Sequence, residues 1–217
     1  MKAPVVLLTD FGLSDHYVGV MKGVILKHKP KARIIDLTHG VPPQDVRAAA
    51  FALLASVPYF PKGSRFICVV DPGVGTARKL IWARTKEHEF WAPDNGLLSW
   101  LPIKEARELA VPDDASATFH GRDVLARMPK GGKKTDWVRL PPPGAEVLSI
   151  DRFGNVVTGL RKAKAVAGLP VRRTYGDVAP GEALAYVGSS GFIELAIRDG
   201  DYARAKGVKP GDKLHAA

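Results

Sequence analysis

Arg65-Phe66-Ile67-Cys68-Val69-Val70-Asp71-Pro72-Gly73-Val74-Gly75-Thr76-Ala77-Arg78 is an apolar, β-prone run followed by a carboxylate, a glycine-punctuated turn and an arginine. A short apolar run bounded by turn residues reads as a buried strand, Phe66–Val70. Glycine and proline mark a sharp loop, so the chain can double back and carry Arg78 towards Asp71. A carboxylate and a guanidinium at the C-terminal edge of a strand stand where open α/β sheets place their ligands. The same two residues also read as an ion pair that only steadies the loop. These residues alone leave both readings open.

Working outward, Val5–Leu8 is a strand that runs into the turn Thr9-Asp10-Phe11-Gly12. Tyr17 to Lys27 has helical spacing, with Ser14 or Asp15 as N-cap and Pro30 as the stop. Arg33–Leu37 reads as a second strand and Pro43 to Leu54 as a second helix with an alanine-rich face. This β-α-β-α-β order predicts a parallel sheet covered by helices. Lys79–Arg84 and Glu89–Ala92 read as two strands joined by the polar turn Lys86-Glu87-His88. A short helix is expected from Leu97, another from Lys104 to Ala110, and one more after Gly121. The fold expected is α/β: an N-terminal domain over residues 1–128, a linker over 129–144 rich in Gly, Lys and Pro, and a C-terminal domain over 145–217. In the last, short apolar runs at Glu146–Ile150, Val156–Leu160, Ala183–Val187 and Phe192–Ile197 alternate with Gly and Pro turns, the pattern of a small β-barrel. About 70 residues bury little core, so this domain is expected to lean on another surface.

The chain has 217 residues, 46% of them hydrophobic and 25% charged, as expected of a globular protein. No apolar run reaches the roughly 18 residues that span a bilayer. Met1-Lys2-Ala3-Pro4 leads straight into the first strand without the apolar core and cleavage site of a signal peptide. The single cysteine, Cys68, falls inside a buried strand, so the expectation is a core thiol in a cytoplasmic protein. The net charge of +10 is scattered, with one small cluster at Lys130, Lys133 and Lys134. No nucleic-acid-binding motif accompanies it, so a solvated basic surface is expected rather than a nucleic-acid or membrane partner. Metal-ligand spacing, a phosphate-binding loop and a Gly-x-Ser-x-Gly elbow are all missing from the sequence.

Four polar clusters end predicted strands. Asp10 can accept two hydroxyl donors, as a ribose diol would offer, or simply cap a helix. Asp71 and Arg78 form the second cluster. His120, in Phe119-His120-Gly121-Arg122-Asp123, can face a cleft or be satisfied by a local carbonyl. Asp151-Arg152-Phe153-Gly154-Asn155 with Ser189-Ser190-Gly191-Phe192 can read and stack a purine, or serve as ordinary turns. The tripeptide Asp10-Phe11-Gly12 lacks the glycine-rich and catalytic loops that would make it a kinase feature.

In chain order, Thr9-Asp10-Phe11-Gly12, Ile35-Asp36-Leu37-Thr38-His39, Pro42-Pro43-Gln44-Asp45-Val46, Val70-Asp71-Pro72-Gly73-Val74-Gly75, Ala92-Pro93-Asp94-Asn95-Gly96-Leu97, Phe119-His120-Gly121-Arg122-Asp123 and Phe153-Gly154-Asn155 closely resemble the S-adenosylmethionine hydroxide adenosyltransferase family. That family is the hydrolytic relative of the fluorinating and chlorinating enzymes that use the same substrate. The resemblance implies a Rossmann-like three-layer α/β/α domain joined to a β-barrel, and hydrolysis of S-adenosylmethionine to adenosine and L-methionine. S-adenosylmethionine would be substrate rather than cofactor, and no metal is implied. By resemblance, Asp71, Arg78 and His120 handle the attacking water and Asp10 binds the ribose diol. Asp15 and Tyr17 face the amino-acid part; Tyr17 replaces the serine of the fluorinating branch. Asp94 and Asn95 join the substrate-binding set through their motif. Asp151 takes the methionine amino group and Ser189 its carboxylate. Asn155 takes adenine, with Phe153 and Tyr186 near the base, and Arg198 stands where the family usually has asparagine. The resemblance further implies a homotrimer with the active site shared between the N-terminal domain of one subunit and the C-terminal domain of the next. Two alternatives compete: a halide-using 5′-adenosyl transferase, and a non-catalytic adenosine or S-adenosylmethionine binding protein. Against the first stand the Asp71 carboxylate and the missing insertion after Arg84 that lengthens the halogenating branch.

Overall fold

Five-residue strands organise the first half of the chain, and the central ones are buried on both faces. In the computed structural model, which describes residues 3–217, these are β1 (Val5–Thr9), β2 (Ile34–Thr38), β3 (Arg65–Val69), β4 (Leu80–Arg84), β5 (Glu89–Pro93) and β6 (Glu105–Leu109). Met1 and Lys2, part of the stretch expected to lead into β1, lie outside the described residues. The spatial order is β2-β1-β3-β5-β4-β6. Helices α1 (Tyr17–His28) and α2 (Val46–Ser56) connect β1 to β2 and β2 to β3. Val5, Leu7, Ile67, Val69, Trp82 and Trp91 pack with Met21 and Ile25 of α1. Their strand neighbours Val6, Leu8, Phe66, Cys68 and Phe90 pack with Ala49 and Leu53 of α2. Strands covered on both faces read as continuous apolar runs, which is why Val5–Leu8 and Phe66–Val70 stand out in the sequence.

The sheet is mixed, not wholly parallel as the β-α-β order suggested. β1 runs parallel to β2 and β3, and β3 to β5, whereas β4 is antiparallel to both β5 and β6. The cause is the short connection after β4, where Thr85 N–H donates to the His88 carbonyl at 3.0 Å. A turn of that length joins only antiparallel neighbours; a parallel return needs a dozen residues or more.

Three local expectations fail for identifiable reasons. Residues 104–110 form β6 rather than a helix, because an open edge of β4 takes them up: Trp82 pairs with Arg107, and Arg84 bridges Glu105 at 2.7 Å. Edge pairing overrides weak helical propensity. Residues after Asn95 form turns rather than a helix, pinned by Leu97 N–H to Asn95 Oδ1 at 3.2 Å and Ser99 Oγ to the Gly96 carbonyl. The N-cap of α1 is His16 without a side-chain cap, not Ser14 or Asp15. The expected helix near Gly121 is the short α3 (His120–Asp123), followed by a 3-10 turn over Leu125–Arg127.

Two compact units divide the chain, one ending at Leu140 and one running from Pro141 to Ala217. Residues 129–140 are tied to the first. Glu108 N–H donates to the Lys133 carbonyl at 2.9 Å, and Thr135 N–H to the Ala106 carbonyl at 3.1 Å, which covers the outer edge of β6. The second unit holds β7 (Val147–Ile150), β8 (Val156–Thr158), β9 (Ala165–Val166), β10 (Leu169–Arg172), β11 (Ala183–Val187), β12 (Ile193–Ile197) and α4 (Tyr202–Lys206). Its strands form one curled half-barrel in the order β7-β8-β12-β11-β10-β9. The core inside the curl is Val147, Val156, Val166, Ala185, Ile193, Leu195 and Tyr202. The short strands β9 and β10 were absent from the sequence-based expectation.

Gly154 explains why the Phe153-Gly154-Asn155 motif needs its glycine. Its φ is +82°, and a Cβ there would stand 2.1 Å from Asp201 Oδ1. Asp201 caps α4 by accepting from Arg204 N–H at 2.8 Å. Gly154→Ala would both force a left-handed residue and dislodge that cap, costing about 2–4 kcal/mol. The expected result is a lower urea midpoint for Gly154→Ala than for wild type; an unchanged midpoint contradicts this account.

Candidate active site

The loop after β3 folds back because two glycines let it. Gly75 has φ +78° and lies under the Ala117 carbonyl, where a Cβ would come within 2.8 Å. Val74 N–H donates to the Asp71 carbonyl at 3.2 Å and Thr76 N–H to the Gly73 carbonyl at 3.1 Å. Arg78 thereby returns to Asp71. Its Nε lies 3.0 Å from both carboxylate oxygens and its Nη2 lies 2.6 Å from Oδ2. Both side chains are largely buried, Arg78 at 10% and Asp71 at 6% exposure. The same Nη2 reaches His120 Nδ1 at 2.8 Å.

A guanidinium has no acceptor, so Arg78 must donate and His120 Nδ1 must accept. The ring is therefore neutral in this arrangement, with its proton on Nε2. Electrostatics agree. Burial first, and the Arg78 charge second, hold the His120 pKa below its ordinary value, while Asp71 and Asp123 pull weakly the other way. His120 is delivered by α3, which approaches β3 closely at Gly121, where a Cβ would stand 3.1 Å from Val69 Cγ1. Asp123 anchors that turn through Ser116 N–H at 2.9 Å and the Arg122 guanidinium at 2.7 Å.

A cavity of about 390 Å³ opens here, lined among others by Asp10, Tyr17, Gln44, Asp71, Phe119 and His120. It lies beyond the C-terminal ends of β1 and β3. Phe11, Tyr17 and Phe119 form an aromatic wall, with ring centroids 5.3 to 5.8 Å apart. Asp10 Oδ2 accepts from the Gln44 backbone N–H at 2.8 Å, and Gln44 adopts φ +65°. A left-handed non-glycine residue beside a cavity is a strained position that orients a functional group. Below it, Thr9 Oγ1 lies 2.8 Å from His39 Nδ1 and accepts from Phe11 N–H at 3.2 Å, while His39 Nε2 faces Asp36 at 3.1 Å. These buried groups give the Asp36-Leu37-Thr38-His39 motif a scaffolding role under the Asp10 turn.

Other expected residues gather elsewhere. Asp15 is exposed and outside the cavity lining. Asp94 accepts from Val138 N–H at 2.8 Å, and burial raises its pKa. Asn95 Nδ2 donates to the Val70 carbonyl at 2.8 Å, fixing the backbone just before Asp71. Neither lines the cavity. On the second unit, a cavity of about 400 Å³ is lined by Phe153, Asn155, Tyr175, Ile197, Arg198, Asp199 and Gly200. Asp151 shapes its edge by accepting from Phe153 N–H, Asn155 N–H and Asn155 Nδ2 at 2.8, 2.9 and 2.8 Å. Phe153 is 70% exposed. Arg198 donates to the Val178 carbonyl at 2.8 Å. Tyr186 is buried; its hydroxyl bonds Glu194 and the Tyr175 hydroxyl, which braces Tyr175 at the cavity wall. Ser189 is exposed on the loop after β11. Sequence reasoning missed Gln44, whose contribution is a backbone N–H, and Tyr175, whose one signal is an aromatic residue in a polar loop. Among the described residues no group of three or more His, Cys, Asp or Glu side chains is placed to hold a metal ion, and no helix is long and apolar enough to cross a membrane.

Comparison with known proteins matches this division. Residues 5–132 match the family model for the SAM hydroxide adenosyltransferase N-terminal domain, and residues 145–215 match that for its C-terminal domain. An (R)-S-adenosyl-L-methionine hydrolase from Thermus thermophilus is 41% identical, covering 96% of this chain and 97% of its own. A fluorinase from Nocardia brasiliensis is 25% identical over 95% of this chain and 94% of its own. The crystal structure of an uncharacterized conserved protein from Thermotoga maritima superposes with a TM-score of 0.89 at 35% identity, covering 98% of this chain and 100% of the other. The protein belongs to the SAM hydroxide adenosyltransferase family.

Proposed function

We propose that this chain hydrolyses S-adenosyl-L-methionine, with water attacking C5′ to give adenosine and L-methionine. The observation that carries the reading is the buried Asp71–Arg78–His120 hydrogen-bonded chain, two of whose members line a cavity shared with Asp10. A sulfonium departs as a neutral thioether, so no general acid is needed, and the demand falls on activating water. The new O–C5′ bond forms as the C5′–S pair withdraws onto sulfur; one water proton stays as the 5′-hydroxyl proton and the other must leave.

Hydrogen bonding divides the labour. Both ring nitrogens of His120 are committed, Nδ1 to Arg78 and Nε2 to its own proton. His120 therefore orients the water oxygen by donating from Nε2. Asp71 has lone pairs left after serving Arg78 and takes the proton. Arg78 supplies a fixed positive charge to the oxygen as it becomes hydroxide-like. Asp10, oriented by Gln44, takes the ribose diol. The reaction requires no metal or cofactor.

The second-unit cavity supplies the rest of the substrate site. Phe153 and Tyr186 would flank the base, Asn155 and Arg198 would meet its edge, and Asp151 and Ser189 would hold the amino-acid end. We propose that it serves a neighbouring copy in a homotrimer; the 70% exposure of Phe153 and the small core of the unit support this. Asp15, Asp94 and Asn95 would then act at the rim or through the backbone they hold. On this reading the first unit is a Rossmann-like three-layer domain and the second a barrel, joined through residues 129–144, in a cytoplasmic enzyme without nucleic-acid or membrane partners. Burial pushes the Cys68 thiol up and leaves it an inert core residue. A halide-using transferase is the second reading. The Asp71 carboxylate counts against it, since it would repel an incoming halide. A non-catalytic binder leaves the buried arginine between Asp71 and His120 without a purpose.

Purified protein is expected to release adenosine and L-methionine from S-adenosylmethionine without added halide. His120→Ala and Asp71→Asn should each lower kcat/KM about 10²–10⁴-fold. Tight binding without turnover would sink the hydrolase reading, and halide-dependent 5′-halo-adenosine would favour the transferase.

The depressed His120 pKa makes a separate prediction. Protonation puts a hydrogen on Nδ1 against the Arg78 donor, so kcat/KM should fall on the acid side with an apparent pKa below the ordinary histidine value of about 6.5. The folded ring binds its proton less readily than the unfolded one. Stability from this group is thus complete above the unfolded pKa and is lost as pH falls from there through the folded value. Arg78→Met should raise the His120 pKa, read by NMR titration of the ring. A pKa that stays put in that variant contradicts the electrostatic account.

A further inference from the structure

An acidic side chain stands at one end of the loop Gly188–Gly191, between β11 and β12, and a basic one at the other. At Gly188 the Glu194 carboxylate fills the place of a side chain, with Oε1 1.8 Å from where a Cβ would stand. Asp151 is near enough to act on Glu194 through its charge. At Gly191, whose φ is +76°, the Arg161 Nη1 lies 3.2 Å from the Cβ position.

Arg161 is held there by backbone pairing. Ile193 N–H donates to the Leu160 carbonyl at 2.7 Å, and Thr158 Oγ1 donates to the Ile193 carbonyl at 2.7 Å. The guanidinium then lies over the Phe192 ring, 4.0 Å from its centroid. Stacking fixes the plane of the group and leaves its edge donors free. Among the described residues no carboxylate pairs with Arg161, although the side chain is exposed and the unit holds several acidic groups. The loop also has donors to spare. Ser189 is exposed, the buried Ser190 hydroxyl has no hydrogen-bond partner among the described residues, and neither serine N–H is engaged within the unit.

We propose that Arg161 is the fixed cation that recognises the carboxylate of the amino-acid end of the substrate, next to Ser189, so that the Gly188–Gly191 loop reads a zwitterion. The ammonium goes to the acidic end at Asp151 and Glu194, the carboxylate to the basic end at Arg161. This deepens the reading of the chain as an S-adenosylmethionine hydrolase and rests on it. It names a residue that sequence motifs did not single out.

The experiment compares S-adenosylmethionine with its decarboxylated analogue, which keeps the sulfonium, the adenosyl group and the amine. Arg161→Met should raise KM for S-adenosylmethionine about ten-fold or more, the loss of one charge-assisted contact, with kcat within about two-fold. KM for the decarboxylated analogue should not change, and Arg161→Lys should recover part of the discrimination. Thermal melting of each variant checks the fold. An equal loss on both substrates would assign Arg161 a packing role over Phe192 and overturn the proposal, as would an unchanged KM for S-adenosylmethionine. A wild type that turns over neither compound fails the functional reading itself, and this inference with it. Wild-type turnover with undiminished discrimination in Arg161→Met overturns the inference alone.

Discussion

A guanidinium buried between a carboxylate and an imidazole is the interaction on which the first unit's site depends. Arg78 donates three hydrogen-bond contacts to Asp71 and one to His120, and little of any of the three side chains reaches solvent. Removing one partner of such a pair strands the other charge in a low dielectric, a loss of about 3–5 kcal/mol. The arrangement survives only because the surrounding backbone leaves no alternative. Gly75 passes under the Ala117 carbonyl, Asn95 clamps the Val70 carbonyl, and Gly121 brings α3 against Val69. Each constraint acts on backbone one to three residues from a member of the trio. The packed backbone thus holds the three side chains where their own hydrogen bonds form.

A second layer of constraint serves Asp10. The left-handed Gln44 turns a backbone N–H onto the carboxylate, and the Thr9–His39–Asp36 chain, with Lys22 at its end, fixes the turn from beneath. Lys22 and His39 also hold the Asp36 carboxyl below its usual range, against the opposing effect of burial. Buried polar chains rigidify a turn through the contacts they complete, here Thr9 with His39 and Lys22 with Asp36. Strain at Gln44 is tolerable because the next residue is a good cap for α2, Asp45 accepting from Ala48 N–H at 2.9 Å.

Much of this was legible in the sequence, and the exceptions have physical causes. Asp71, Arg78 and His120 announce themselves because chemistry-bearing side chains flank glycines, and glycine is where the chain can fold back. The strands β1 and β3 are legible because both faces are buried. β6 was misread because Ala106 and Leu109 satisfy helical spacing as well as strand burial, and only the open edge of β4 decides between them. Asp94 and Asn95 sit in a polar motif that looks like a ligand set but spends its hydrogen bonds on Val138, Leu97 and Val70. Gln44 stood in a quoted motif without a role, because its contribution is a main-chain N–H in an unusual conformation. Arg161 was invisible because its position follows from β8–β12 register, which no local pattern encodes.

Charge conservation explains why these three side chains suit water better than another nucleophile. Before reaction the trio is neutral overall: a carboxylate, a guanidinium and an uncharged imidazole. On the proposed route a proton passes from water to Asp71, so the negative charge moves from the carboxylate to the nascent hydroxide. Arg78 faces one negative neighbour before the transfer and one after it, and no net charge is created inside the low-dielectric cavity. A halide arrives with its own charge while Asp71 keeps its carboxylate charge, so two anions crowd Arg78; the substrate's sulfonium balances only their sum, and the halide has already lost its solvation. Arg78 cannot neutralise both. The pairing of a carboxylate with the arginine therefore selects a nucleophile that can hand over a proton.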